Sequence, residues 1–153
     1  MIDRRVPRAL ERLNSNHGRL MRAARMVPGQ LRHVTMPGWE WTPRDMLAHV
    51  LAWQEHALHH LREPDTPWPD RGDLDTWNAA AHQRLRALAW DEILARLEAN
   101  HRELAARLDV DPPRWFGSCT YWHYTEHTRA LLTFLRSPAQ SPTTTVAPIA
   151  AQS

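Results

Sequence analysis

The spacing of the apolar residues constrains the fold of this chain more than any other feature of its sequence. Leucine and alanine dominate the apolar set, and they recur at steps of three and four residues, as they do on one face of a helix. No segment alternates valine, isoleucine or threonine with polar residues, as a half-buried strand does. We therefore predict an all-α fold.

Five helices are predicted from these apolar stripes and from the turn residues between them. A Pro-Gly pair follows the first helix, and Thr42-Pro43 with Asp45 at the third helical position marks the start of the second. The predicted ranges are about 6–27, 43–62, 74–88, 91–108 and 120–136. Short connections between helices that each carry one apolar stripe favour an up-and-down bundle.

The residue inventory excludes several kinds of chemistry. One cysteine among 153 residues excludes an internal disulfide framework and a cysteine-rich zinc module. The absence of lysine from the sequence excludes Schiff-base and P-loop lysine chemistry. Histidine, with ten copies, is the remaining residue type that stands out as a source of chemistry.

The length and the segment composition favour a single cytoplasmic domain. No apolar run approaches the roughly 20 residues of a membrane helix, so no membrane association is expected. The charged first ten residues lack the apolar stretch of a signal peptide. Residues 1–136 are expected to form one helical domain. Residues 137–153 are uncharged and rich in serine, threonine, proline and alanine, which predicts a disordered tail.

Two histidines of the last predicted helix carry the strongest chemical signal. At 100° per residue, His123 and His127 fall in the middle of that helix's apolar arc and point into the bundle. Two imidazoles at positions i and i+4 can chelate one metal ion, although separate hydrogen bonds could also satisfy them. His49, on the core edge of the second predicted helix, is the best candidate for a third ligand.

Two further residues of this helix region could take part, each with a simpler alternative. Cys119 precedes His123 by one turn and could be a fourth metal ligand, or only a small buried residue. Glu126 points about 60° away from the His123 direction. Its carboxylate is the candidate catalytic group, and it could act as a base or accept a hydrogen bond from a metal-binding histidine. A salt bridge on the surface is the alternative role.

Aromatic and polar residues elsewhere suggest a substrate pocket. Four of the eight tryptophans could wall a pocket for a flat or apolar substrate, although packing is the simpler role for most of them: Trp41, Trp53, Trp77 and Trp122. Asn78 and His82 share one helix face and could line its mouth. The candidate substrate-binding residues are therefore Trp53, Asn78, His82 and Trp122. Three other histidines have simpler interpretations, His56 and His60 on the helix surface and His101 as a satisfied core residue.

The basic residues are concentrated at the start of the chain. Residues 1–36 contain eight arginines and two acidic residues, whereas the rest of the chain carries a net negative charge. Such an arginine-rich first helix, with Arg4, Arg5 and Arg8 at its start, could contact nucleic acid or an acidic partner. A solvated face of an amphipathic helix is the alternative that we prefer.

Several segments resemble a known family. Residues 41–53, WTPRDMLAHVLAW, resemble the second-helix signature of the DinB/YfiT-like superfamily of four-helix bundles. The later stretches DTWNAAAHQR, WDEILARLEANHREL and CTYWHYTEH are similar to its ClbS/DfsB branch. The resemblance covers about residues 5–136, and its most specific parts are the context of His49 and the pair formed by His123 and His127.

The resemblance implies a fold, a ligand set and a range of activities. The fold would be an up-down-down-up four-helix bundle with a short extra helix before the third bundle helix, and two copies would form a homodimer. Zinc or nickel would be held by His49, His123 and His127. The implied function is hydrolysis of an electrophilic small molecule by metal-activated water, for detoxification or self-resistance. The alternatives are a metal-dependent S-transferase that uses mycothiol or bacillithiol, and a non-catalytic module that sequesters a toxin or protects DNA.

Overall fold

Helices account for all the regular secondary structure in the part of the chain described here. The computed structural model describes residues 5–68, 73–108 and 112–137, with only the backbone of residues 5 and 6. Its elements are α1 (Arg5–Met26), a 3₁₀ helix (Gly29–Leu31), α2 (Pro43–Arg62), α3 (Leu74–Leu85), α4 (Trp90–Ala106), α5 (Phe116–Cys119) and α6 (Tyr121–Leu135). The predicted all-α fold is confirmed.

Four of the helices form the bundle. α1 packs against α4 and α6, and α2 packs against the same two helices, so that the four apolar stripes meet in one core. α3 packs on α2 outside this ring, which makes it the predicted extra helix before the third bundle helix. None of the helices in the described residues has the length and hydropathy needed to cross a membrane.

The two middle helices of the bundle, α2 and α4, run in the same direction. Near the start of α2, the Arg44 guanidinium donates hydrogen bonds to the Leu88 carbonyl, just before α4 begins. At the end of α2, Arg62 pairs with Glu103 near the end of α4. Because the first residues of α2 lie near the start of α4 and the last residues of both helices lie together, α2 and α4 have the parallel orientation that the resemblance implied.

The α1–α4 contact is antiparallel, and it includes a histidine that sequence reasoning missed. Arg25 near the end of α1 pairs with Glu98, while the earlier His17 stacks on the later His101 with ring centroids 3.8 Å apart. His17 is only 4% exposed and lies four residues after Leu13 in the apolar stripe of α1, which was the available signal. His101 packs in this contact as a core histidine rather than a ligand, as predicted, but its buried Nδ1 has no hydrogen-bond partner among the described residues.

The α2–α6 contact is also antiparallel, and it positions the candidate site. Gln54 donates a hydrogen bond of 2.9 Å to the Tyr124 hydroxyl, whereas the earlier His49 meets the later His127 with ring centroids 5.2 Å apart. Together with the directions of α1 and α4, this contact confirms the up-down-down-up topology.

The helix boundaries agree with the predictions to within a few residues. Thr42 caps α2 through a capping box with Asp45, as its sequence predicts. α3 ends at Leu85, three residues before the predicted end, where the buried Arg44 guanidinium binds the carbonyl oxygens of Leu85 and Leu88. An arginine from another helix thus takes the place of further intrahelical bonds.

The start of the last helix differs from the prediction in one detail. α5, a single turn, precedes α6, and the two are separated at Thr120, whose hydroxyl donates a 2.7 Å hydrogen bond to the Phe116 carbonyl. The predicted tail, apart from residue 137, lies outside the described residues. The same is true of the side chains of Arg4 and Arg5.

Candidate metal centre

The three histidines that the sequence analysis selected as metal ligands come together between α2 and α6. The Nε2 atom of His123 lies 3.0 Å from that of His49 and 2.8 Å from that of His127. One ring nitrogen from each residue lies within 4.8 Å of the other two, and this trio is the only such group of histidine, cysteine or acidic side chains in residues 5–68, 73–108 and 112–137. The antiparallel packing of α2 and α6 supplies the third imidazole that the i, i+4 pair lacks.

All three imidazoles are held in their neutral form by their surroundings. Burial, aided by the proximity of His127, lowers the pKa of His49 to about 3, and burial lowers that of His127 to about 4. The pKa of His123 is lowered well below its usual value by burial and by its two histidine neighbours. At neutral pH, each ring therefore has one nitrogen with a free lone pair, the form in which histidine binds metals.

Hydrogen bonds alone cannot satisfy this cluster. The Nε2 atom of a neutral imidazole carries either one hydrogen or one lone pair, so it can take part in only one well-aligned hydrogen bond. His123 Nε2 nevertheless faces two other Nε2 atoms at hydrogen-bond distance. The Nδ1 atoms of His123 and His127 are buried and have no partner among the described residues. With the hydrogens on Nδ1, each Nε2 offers a lone pair, and three imidazole nitrogens this close together are a donor set that fits zinc or nickel.

Tryptophan rings surround the three imidazoles. Trp41 packs on His49 with ring centroids 4.5 Å apart, and Trp39 lies 5.9 Å from the ring of His127. Trp53 is edge-on to His49 and His123, at 6.4 and 6.2 Å. These rings limit the access of water, which strengthens any electrostatic interaction inside the cluster.

Two of the predicted substrate-binding residues have structural contacts on α3. Asn78 accepts a 3.2 Å hydrogen bond from the indole N–H of Trp53, whose ring also packs on Trp77 at 4.3 Å. Asn78 therefore orients Trp53, which in turn borders the histidine cluster. His82 is half-exposed, and its Nδ1 lies 4.0 Å from a carboxylate oxygen of Asp45 at the start of α2.

Trp122 does not join the other tryptophans around the histidines. Its side chain is 54% exposed and packs edge-on against Tyr121 at 5.2 Å. It borders a surface depression together with Arg8 and Arg12 of α1. The physical reason is helix phase, since consecutive residues are 100° apart and Trp122 cannot share the inward direction of His123.

Cys119 is not part of the histidine cluster, although it is the only thiol of the chain. It is fully buried, and burial raises the pKa of its thiol to about 12, which opposes the thiolate form that a metal binds. Its sulfur is absent from the group of converging ligand atoms. The fourth-ligand interpretation is therefore wrong, and Cys119 is a small core residue on α5.

Glu126 lies beside the cluster rather than in it. It is exposed and borders a cavity of about 340 Å³ that Trp39, Arg129 and Phe134 also line. Within the described residues it makes neither the salt bridge nor the ligand hydrogen bond that the sequence analysis considered. Trp39 lies between this cavity and the cluster, because its ring also contacts His127.

The expectation that His60 lies on the helix surface is wrong. His60 is only 5% exposed, and its Nε2 atom lies 3.2 Å from that of His56. The segment after α2 folds back so that Trp68 lies 4.7 Å from both histidine rings, and Trp115 covers His60 at 5.5 Å. The periodicity of α2 could not predict this cover, because it comes from distant segments.

Comparisons with known proteins agree with this architecture. Residues 6–135 match the family model of the DinB superfamily. No curated protein matches the chain. Three solved structures share the fold at sequence identities too low to indicate more than the fold itself.

The first of these structures is an uncharacterised protein from Escherichia coli UTI89, with a TM-score of 0.79 and 14% identity over 87% of this chain and 94% of that one. The second is the colibactin self-resistance protein ClbS in complex with double-stranded DNA, with a TM-score of 0.75 and 14% identity over 89% and 98% of the two chains. The third is DfsB, described as a sibling lethal factor precursor, with a TM-score of 0.73 and 11% identity over 88% and 96%.

Proposed function

This chain belongs to the DinB superfamily, and on that premise we propose that it is a metal-dependent hydrolase of an electrophilic small molecule, acting in detoxification or self-resistance. His49, His123 and His127 would hold a zinc or nickel ion. The observation that carries the proposal is the convergence of three neutral Nε2 atoms, of which His123 Nε2 faces the other two. Hydrogen bonding accounts for only one of these two contacts, whereas a cation accounts for both.

The surroundings of the cluster are suited to this chemistry. Zinc or nickel bound by three imidazoles keeps an exchangeable position, where it would lower the pKa of a water molecule to about 7. Trp41 and Trp53 give the site apolar walls next to His49 and His123. Glu126, in the neighbouring cavity, would accept a proton from the reacting group, while Trp39 gives the substrate an apolar surface. Asn78 keeps Trp53 in place.

A metal-dependent S-transferase is the alternative that uses the same ligands. Mycothiol or bacillithiol would then supply the nucleophile, and its sulfur would attack the electrophilic carbon while the leaving oxygen takes the thiol proton. The two reactions differ in the atom that the product gains, oxygen from water or sulfur from the thiol. The homodimer implied by the resemblance and the cytoplasmic location expected from the composition belong to the same proposal.

A strained epoxide such as styrene oxide distinguishes these reactions. Zinc- or nickel-loaded protein is incubated with it in water labelled with heavy oxygen, with and without a low-molecular-weight thiol, and the products are analysed by mass spectrometry. Hydrolysis gives a labelled diol, and transfer gives a thioether. The rate must exceed that of protein-free buffer and be lost in His123→Ala but not in His33→Ala, which changes an exposed histidine. A rate that His123→Ala leaves unchanged refutes the proposal.

Binding of double-stranded DNA is a second candidate function, and a basic surface favours it. α1, α6 and the segment before α5 present six exposed arginines around three adjoining depressions: Arg8, Arg12, Arg19, Arg114, Arg129 and Arg136. Such a surface can neutralise backbone phosphates without reading sequence. The similar structure of ClbS contains double-stranded DNA, which makes this duplex the natural ligand to test.

A further inference from the structure

A second aromatic cavity lies between α3 and the segment that follows α2. It has a volume of about 590 Å³ and is open to solvent, a size that accommodates a small organic molecule. The residues that define it are His56, His59, Thr66, Trp68, Asp73 and Trp77. Neither the metal ligands nor Glu126 line this cavity, so the proposed hydrolase chemistry leaves it without a role.

The walls of this aromatic cavity are rings set at an angle to one another. The His56 ring lies 4.7 Å from Trp68 and 5.1 Å from Trp77, with interplanar angles of 55° and 60°. Trp68 is 40% exposed, so part of its ring is accessible to a ligand from solvent. Because aromatic rings carry negative charge on their faces, such an arrangement attracts cations.

The charged groups around the aromatic cavity favour the same kind of ligand. Asp73 lines it, and Glu63 and Asp65 are exposed on the segment that forms its rim. Arg62, at the end of α2, pairs with Glu103 on α4. Among the described residues, the aromatic cavity therefore combines indole faces with carboxylates.

His56, which lines the aromatic cavity, does not oppose a cation. Burial, followed by the proximity of His60 and His59, lowers the pKa of His56 to about 4, so its ring is neutral at neutral pH. Burial also lowers the pKa of His60. The neutral rings extend the aromatic surface without adding positive charge.

We propose that this aromatic cavity binds an organic cation, of the class of quaternary ammonium ions and protonated aromatic amines. The cationic nitrogen would lie against Trp68 and Trp77 near the Asp73 carboxylate, in the manner of an aromatic cage. Trp53 separates the cavity from the metal centre, since its ring contacts Trp77 on one side and His123 on the other. Binding of the cation is therefore independent of the metal and of the hydrolase proposal.

Isothermal titration calorimetry with a matched pair of ligands tests this inference. Phenyltrimethylammonium carries a permanent charge, whereas N,N-dimethylaniline has nearly the same shape and is neutral at mildly alkaline pH. We expect the cation to bind about tenfold more tightly than the neutral ligand, and the anion benzoate to give no heat. His123→Ala should bind the cation as the unmodified protein does, which separates this site from the metal centre.

Variants then locate the site. Trp68→Leu keeps an apolar cover but removes the ring, and Asp73→Asn removes the charge; each should weaken binding of phenyltrimethylammonium about tenfold. Trp122→Leu and Asp91→Asn change an exposed tryptophan and an exposed aspartate elsewhere and should have no effect. Circular dichroism verifies that each variant is folded. Equal affinity for the charged and neutral ligands, no heat at millimolar concentration, or full affinity in Trp68→Leu would overturn the inference.

Discussion

The Nε2 atom of His123 lies 3.0 Å from the Nε2 atom of His49, across the interface between α6 and α2. Both pKa values are lowered by burial, so two neutral imidazoles meet nitrogen to nitrogen. A second contact of the same kind, to His127, competes for the same atom of His123. Because each imidazole nitrogen can form only one good hydrogen bond, hydrogen bonding leaves one of these two contacts of His123 unexplained.

Metal binding should require all three imidazoles. We expect the purified protein to retain about one zinc or nickel ion per chain, and His123→Ala to lose it, because two remaining imidazoles bind too weakly. Metal content is measured by plasma mass spectrometry, with helicity checked by circular dichroism. His33→Ala, which removes an exposed histidine, is the control and should retain the metal. Stoichiometric metal in a variant that lacks all three ligands would disprove the site.

Reversal of charge on α1 should abolish any affinity for DNA. In fluorescence anisotropy with a double-stranded oligonucleotide, we expect an affinity that falls steeply with salt, because phosphate contacts release counterions. The triple variant with Arg8, Arg12 and Arg19 changed to Glu should bind too weakly to measure. The matched control changes three exposed arginines of the α3–α4 region to Glu: Arg84, Arg86 and Arg96. If the α1 variant and the control variant lose affinity for DNA equally, or if no binding occurs at low salt, the nucleic-acid candidate is excluded.

Acid should destabilise the bundle partly through His17. Burial, together with the proximity of His101, lowers the pKa of His17 to about 4 from an ordinary value near 6.5. Between these two values the unfolded chain binds a proton that the folded chain does not, so the free energy of unfolding falls as pH decreases, by up to about 1.4 kcal/mol per pH unit. The stability that neutral His17 contributes is fully present above the pKa of this residue in the unfolded chain, and it decreases as the pH falls below that pKa.

Replacement of His17 isolates this contribution. His17→Leu keeps the site apolar and removes a buried Nε2 that has no partner among the described residues. Urea titrations of both proteins at several pH values should show a stability difference that favours the variant increasingly as pH decreases from 6.5 toward 4. Parallel curves would show that His17 titrates normally in the folded state. His33→Leu, at an exposed position, should leave the pH profile unchanged.

The hydrogen bond between Asn78 and Trp53 should contribute measurably to stability. Asn78→Leu leaves the indole N–H without its acceptor, and we expect a loss of about 1 kcal/mol in the free energy of unfolding. Asn14→Leu, at an exposed position on α1, should cost little. In a Trp53→Phe background, which lacks the N–H, Asn78→Leu should cost less, since the two changes remove the same interaction. Additive losses would show that the bond contributes nothing.

Local features of the sequence predicted much of the fold. The 3.6-residue period gave the five long helices, and the Thr42 capping box required only residues within one turn of each other. The inward direction of His123 and His127 followed from the same periodicity. Sequence reasoning failed where a partner from a distant segment decided the outcome, as when Arg44 shortened α3 or Trp115 covered His60.

Sequence alone thus determined which residues are helical and which side chains share a helix face, because both depend on neighbours within a few positions. The tertiary structure decided what each face meets. It brought His49 to the histidines of α6, excluded Cys119 from them and left Trp122 exposed. The physical reason is that a helix fixes the relative directions of its own side chains, whereas distances between helices follow from how all the apolar stripes pack into one core.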